Sequence, residues 1–185
     1  MPNFTQNAIK QAFIKLLEEK PYNEITIKDI VTECGINRNS FYYHFQDMPS
    51  LLEEIIKESL DNIIIQYPSF SSLEDCMSAT IAFAESYKRA ILHIYRSVDR
   101  GIFERYLWQA CDYAVNKYCE NVFLDQHINK EDEIIIFQYY KCECFGQMMA
   151  WMENGMKNDI KKDIQRLCVL KQGQVEEMIE RSKNQ

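Results

Sequence analysis

The apolar positions of this chain recur at helical spacing almost from its start. Ile9, Ala12, Phe13, Leu16 and Leu17 fall at i, i+3, i+4, i+7 and i+8, which predicts an amphipathic helix over roughly Thr5–Glu19. Lys20-Pro21 ends it, because a residue before proline avoids the α region. A second stripe follows in Ile27, Ile30, Val31 and Cys34. Thr26 stands at its head with Asp29 three residues on, the pattern of a capping box. Gly35 suits the left-handed position that closes a helix. Ile36 is expected to plug inward, and Asn37 to cap a third helix, Arg38–His44. Phe41 and Phe45, four apart, are its inward positions. Arg38, Asn39, Ser40, Tyr42, Tyr43 and His44 are left facing out.

Beyond Pro49 the segments lengthen. Expected helices are Ser50–Tyr67, closed by Pro68, then Leu73–Tyr87 capped by Ser71 or Ser72, Arg89–Ser97 and Ile102–Phe123. Lys130–Met156 follows, capped by Asn129, with Glu131, Asp132 and Glu133 set favourably in its first turn. A last helix is expected over Asp159–Ser182. Only four prolines and five glycines punctuate the chain, and no strand-length alternation occurs. The expected fold is all-α: a three-helix head over residues 1–48 and a helical bundle over 49–185, about nine helices in total.

Composition narrows the function classes. The 46% hydrophobic and 26% charged fractions are those of an ordinary globular protein. No apolar run reaches the roughly 18–20 residues that span a bilayer, and the first 20 residues lack a signal-peptide core, so a cytoplasmic protein with no membrane partner is expected. The seven cysteines are odd in number and scattered, which suits reduced, buried thiols rather than a disulfide framework. Cys142 and Cys144, two apart, point away from each other on a helix, and no His lies three or four residues from a Cys. No metal site and no cofactor are therefore expected. Nor is an enzyme: there is no nucleophile–base pair and no Gly-rich phosphate loop.

Two short helices joined by a glycine-containing turn form the helix-turn-helix pattern, although spacing alone fits an ordinary three-helix bundle equally well. The outward residues of the third helix are those that pair with base edges and phosphates. The stretch Ile9–Leu52, above all Thr26–Phe45, resembles the DNA-binding head of the TetR/AcrR regulators, with Thr26, Ile30-Val31, Gly35, Ser40, Tyr42 and Phe45 in that family's places. The resemblance implies base contacts from Arg38, Asn39 and Tyr43. It implies backbone contacts from Thr26, Lys28, Ser40, Tyr42 and His44, with Asn37 in the same DNA-binding set. Two features depart from the family. Met48 stands where a phosphate-gripping lysine is usual, and up to that residue five cations face six anions, a balance of −1 within a chain of net charge −7. Few phosphate contacts mean weak non-specific binding and a shallow salt dependence.

Phe145–Gly155 followed by Asp159–Ile164 looks like the family's final helix pair, which implies a homodimer. Its expected interface residues are Met149, Met152, Ile160, Ile164, Leu167, Val175 and Met178. Such a dimer would set two recognition helices about 34–36 Å apart on a pseudo-palindromic operator. The resemblance also implies an unidentified small apolar or aromatic effector, with Phe83, Tyr87, Phe103, Trp108, Cys111, Tyr139 and Phe145 as the candidate lining, although cores use the same residues. The expected function is a double-stranded-DNA-binding repressor whose affinity the effector modulates. The alternative is a regulator of the same fold with weak DNA binding, acting as a co-activator through protein partners.

Overall fold

The computed structural model describes residues 4–66, 73–97 and 99–183. Among them there are ten α-helices and one 3-10 turn, and no strand. In chain order these are α1 (Phe4–Glu19), the 3-10 turn Tyr22–Glu24, α2 (Ile27–Glu33), α3 (Arg38–His44) and α4 (Met48–Gln66). They continue with α5 (Leu73–Ser86), α6 (Lys88–Tyr95), α7 (Arg100–Val122), α8 (Lys130–Glu153), α9 (Ile160–Leu170) and α10 (Gln174–Lys183). The expected closure at Pro68 and the Ser71 or Ser72 cap lie outside the described residues.

Local chemistry sets the ends of the short helices. The Thr26 hydroxyl accepts the Asp29 N–H at 3.2 Å, and the Asp29 carboxylate accepts the Thr26 N–H at 2.8 Å, completing the capping box. Gly35, at φ +68°, closes α2: its N–H donates to the Thr32 carbonyl, and the Ile36 N–H donates to that of Val31. That pair of bonds is the Schellman arrangement, and Val31 and Ile36 both pack on the core beneath it. Asn37 Oδ1 accepts the Ser40 N–H at 2.9 Å and so caps α3. α4 begins two residues earlier than expected because Asp47 and Ser50 cap it reciprocally, at 2.8 and 3.1 Å. Pro49 then occupies the first turn, where its missing N–H has no intrahelical partner to lose.

The chain falls into two compact units. The first comprises Met1–Asn62 and Ala84–Tyr106, the second Ile63–Phe83 and Leu107–Gln185. Punctuation had suggested that the head ends at Met48, yet the first unit runs further and takes in α6. The reason is packing: Ala90 and Ile94 of α6 are buried in one cluster with Ile9, Phe13 and Leu17 of α1, Ile30 of α2, Phe41 of α3 and Leu51 of α4. Polar bonds reinforce that seam, since Glu18 accepts the Ala90 N–H and the His93 ring nitrogen Nδ1 stands 2.6 Å from the Leu17 carbonyl. Phe13 and Phe41 are fully buried, at about 150–250 Å² per aromatic ring.

In the second unit Cys111, Val115, Met148, Met152, Ile160 and Ile164 are all buried. The single last helix expected over Asp159–Ser182 is instead two. α9 ends at Leu170, and Gly173, at φ +84°, precedes α10, whose first turn donates the Glu177 N–H to the Gly173 carbonyl. α8 also stops three residues short of its expected end, at Glu153.

Candidate functional site

The outward face of α3 is presented as the sequence suggests. Phe41 is 0% and Phe45 5% exposed, so the helix is clamped to the core on that side. On the other side Arg38, Asn39, Tyr42 and Tyr43 are exposed, Tyr43 to 84%, while Ser40 and His44 are half-buried. Tyr43 is thus among the most exposed large hydrophobic side chains of the described residues. The Tyr43 and His44 rings meet edge to face at 5.0 Å, and Tyr42 does the same with Phe41 at 5.6 Å, which restrains both tyrosines. Thr26, Lys28 and Asn37 are exposed at the ends of α2 and α3. The side chains of Thr26 and Asn37 are already engaged in capping, so what those positions offer outward is shaped by the caps.

The charge deficit of the head resolves into pairs. Lys10 is 5% exposed and held by Glu54 and Glu58 of α4, Lys15 pairs with Glu33, and Lys20 pairs with Asp29 at 2.9 Å. Among the described residues up to Met48, Lys28 and Arg38 are the cations that carry no ion pair. Met48 is half-buried against the head core, so that position serves packing. The Asp29 carboxyl is pulled down to about 2 by its hydrogen bonds to the Lys20 ammonium and to the Thr26 N–H and hydroxyl.

The seven expected effector residues divide between the two units. Tyr87 and Phe103 belong to the first unit, and Phe103 packs against the head core. Phe83, Trp108, Cys111, Tyr139 and Phe145 belong to the second. There Trp108 and Phe145 meet edge to face at 5.0 Å, with the Lys141 ammonium 4.3 Å from the Trp108 centroid, so that ring face is already covered. The second unit does contain a cavity of about 630 Å³, lined by none of the seven. Its walls include Tyr118 of α7, Tyr140 and Glu143 of α8, Ile164, Leu167 and Cys168 of α9, Lys171 and Gly173 of the break, and Val175 and Glu176 of α10. Cores and cavities draw on the same aromatic residues, so composition could not separate the two. One signal was available: Lys171 falls on the apolar stripe that runs through Ile160, Ile164, Leu167, Val175 and Met178.

The expected dimer residues also sort themselves by burial. Met152, Ile160, Ile164 and Val175 are 9% exposed or less within the single chain, leaving little area for a partner. Met149, Leu167 and Met178 are half-buried. The bare apolar side chains on these helices are Ile134, Ile135 and Tyr139 of α8 and Val169 and Leu170 of α9. Among the described residues there is no cluster of metal-ligating side chains and no helix long and apolar enough to cross a membrane.

Two family models match the chain. One, described as bacterial regulatory proteins of the tetR family, covers residues 9–55, and the other, a transcriptional regulator C-terminal region, covers residues 71–173. The chain is similar to the HTH-type dhaKLM operon transcriptional activator DhaS of Lactococcus lactis subsp. lactis (strain IL1403), 24% identical over 139 residues. That alignment takes in 75% of this chain but only 65% of the relative. Among solved structures, the dihydroxyacetone kinase operon activator DhaS superposes with a TM-score of 0.76 at 18% identity, over 93% of this chain and 96% of that one. NalD, the secondary repressor of the MexAB-OprM multidrug efflux pump in Pseudomonas aeruginosa, gives 0.57 at 19% identity, over 89% and 93%. At such identities the superpositions establish the fold. The C-terminal model alone spans more than half of the chain, and with the head model it shows that the protein belongs to the TetR family of transcriptional regulators.

Proposed function

We propose that the protein regulates transcription as a homodimer that reads a pseudo-palindromic operator through α3, and that a small molecule bound in the second unit modulates its affinity. The exposed face of α3, backed by buried Phe41 and Phe45, is the observation that carries this reading. Arg38, Asn39 and Tyr43 contact bases. Thr26, Lys28, Ser40, Tyr42 and His44 contact the backbone, and Asn37 holds the helix end that presents them. DNA contact is thus confined to residues 1–48, and the chain acts beside the chromosome in the cytoplasm. The apolar side chains left bare on α8 and α9 support dimerisation through those helices.

Two directions of control follow from one fold. Operator occupancy by the dimer represses. The pairing of Lys10, Lys15 and Lys20 with carboxylates favours a second reading, activation through a protein partner that supplies part of the DNA affinity. The activator role in the name of the Lactococcus relative is consistent with it.

Gel-shift titration with the DNA upstream of its own gene tests the proposal. A dimer that neutralises about two phosphates, through Lys28 of each protomer, shows a shallow log–log salt slope of about −2. Arg38→Ala removes one bidentate base contact from each half-site and weakens that complex by about 100-fold or more. Absence of any salt-sensitive complex at micromolar protein, or an Arg38→Ala titration identical to wild type, overturns DNA reading through α3. Transcript levels after deletion then separate the directions: a rise means repression, a fall activation.

A further inference from the structure

Two tyrosines and three carboxylates line the cavity of the second unit, and the chain supplies a cation to one tyrosine, Tyr140. There the Lys171 ammonium bonds the Glu143 carboxylate and stands 4.7 Å from the Tyr140 ring centroid and 5.0 Å from that of Tyr139. The Lys171 and Glu143 side chains are each 17% exposed, so this ion pair is largely withdrawn from water. Withdrawal of an ammonium is tolerated only where a carboxylate and electron-rich ring faces replace its hydration, as they do here.

A second tyrosine and a second carboxylate, Tyr118 and the solvent-exposed Glu176, line the same cavity without a chain cation between them among the described residues. The Tyr118 ring lies edge to face with Tyr140 at 5.9 Å. Burial takes the Tyr118 phenol up to about 12, with Cys119 and then Glu176 acting in the same direction. Among the described residues no ammonium or guanidinium stands over Tyr118 and no cation pairs with Glu176. The other two carboxylates of the wall are matched, Glu143 by Lys171 and Glu180 by Lys183 at 2.8 Å. At the start of α10, beside the wall residues Gly173 and Val175, Gln174 Oε1 is buried with no hydrogen-bond partner among the described residues. Ile164, Leu167 and Val175 supply an apolar wall, and about 630 Å³ lies within the roughly 300–1,000 Å³ typical of small-molecule sites.

We propose that this cavity binds an amphipathic organic cation, with its ammonium on Tyr118 and Glu176 and its apolar body against Ile164, Leu167 and Val175. Lys171 is the tethered image of that ligand: the same charge, on the same kind of ring and carboxylate. The inference deepens the effector-responsive reading above and rests on it for the ligand's regulatory meaning, but not for its binding.

Fluorescence titration of the full chain with a dansyl-labelled alkylammonium, and with the alkylcarboxylate of equal length, tests it. The ammonium probe binds about tenfold tighter than the carboxylate or better, one carboxylate–ammonium and ring contact in a partly desolvated site. Glu176→Gln erases the preference. Glu177→Gln makes the same charge change on the neighbouring residue, which pairs with Arg181 and does not line the cavity, and leaves the preference intact. Tyr118→Leu weakens the ammonium probe severalfold in protein that melts normally. Equal affinity for the two probes, no saturable binding, or equal effects of the two glutamine substitutions overturns the proposal. So does ammonium affinity that falls as protein concentration and sedimentation-measured dimer rise together, because a second copy then fills the cavity. Gel shifts with and without saturating ammonium probe keep the two readings apart. Binding without a change in operator affinity leaves the cation site standing and removes its regulatory role. A normal operator complex with no probe binding does the reverse.

Discussion

Of the three left-handed glycines among the described residues, Gly35 and Gly173 do opposite things to the helices they adjoin. Gly35 sits after α2 and ends it, its N–H and that of Ile36 donating back to the Thr32 and Val31 carbonyls. Gly173 sits before α10 and starts it, its carbonyl accepting from Glu177. The first turn leads into a helix whose outer face, with Arg38, Asn39 and Tyr43, is exposed. The second folds a helix inward, so that Lys171 on one side and Val175 and Glu176 on the other line a cavity. The same backbone conformation thus serves a contact surface in one unit and a concave site in the other.

The strongest way to break this comparison is to remove the core beneath each feature. Phe41→Ala empties a fully buried position under α3 and costs about 3–5 kcal/mol in urea unfolding, with loss of operator binding. Met148→Ala, at 2% exposure in the second unit, costs about 2–5 kcal/mol and leaves operator binding intact below its melting temperature. Loss of DNA binding in the Met148 variant while it is still folded would show that the contact surface is not the property of the first unit.

The glycines themselves sharpen the comparison at smaller cost. A Cβ built on either Gly35 or Gly173 meets no atom within 4 Å, so each alanine substitution carries the backbone penalty alone, about 1–2 kcal/mol. Equal stability losses are expected in calorimetry, with unequal functions. Gly35→Ala relaxes the turn that aims α3 and weakens the operator complex. Gly173→Ala leaves that complex unchanged and weakens ligand binding in the cavity. An operator defect in both variants would erase the division of labour.

The head was legible because each signal in it is local and several agree. Thr26 with Asp29, Gly35, Asn37 and the inward pair Phe41 and Phe45 each state a helix end or a face within a few residues, and the structure uses all of them. The break at Gly173 was not legible for an equally physical reason. The apolar stripe keeps its spacing through Ile160, Ile164, Leu167, Val175 and Met178, and Gln172-Gly173-Gln174 offers no Ser, Thr, Asp or Asn to announce a new helix. A continuous helix fits that pattern, with Gly173 as punctuation and Lys171, a cation on the apolar stripe, as the signs against it. The role of α6 was hidden for another reason: its burial against α1 joins residues 9–17 to residues 90–94, a pairing that no local pattern encodes. The cavity beside the break is lined by none of the residues that composition suggests for an effector.

The smallest expected effect concerns the cap that starts α2. Thr26→Ala removes the hydroxyl that accepts the Asp29 N–H and costs about 1 kcal/mol, the usual loss for an N-cap. The same box carries a pH signature. Asp29 receives the Lys20 ammonium at 2.9 Å and the Thr26 N–H and hydroxyl at 2.8 Å each, which together hold its carboxyl near 2 instead of 3.8. A carboxyl depressed in the folded state adds stability that is complete above its unfolded value and is lost as pH falls through the folded one. The cap therefore loosens between about pH 4 and pH 2, and neutral pH does not touch it. Because the Asp29 side chain is 35% exposed, salt screens part of this contribution, and the acid limb is steepest at low ionic strength. Carboxyl-carbon chemical shifts followed through an acid titration read it directly. Asp29 titrates near 2 in the wild-type chain, higher in Thr26→Ala and higher again in Lys20→Met, since the lysine is the largest single cause. A midpoint that stays near 2 without Lys20 would show that the box, and not the ion pair, sets the charge at the start of α2, and would leave Lys20 as a further cation for the DNA face.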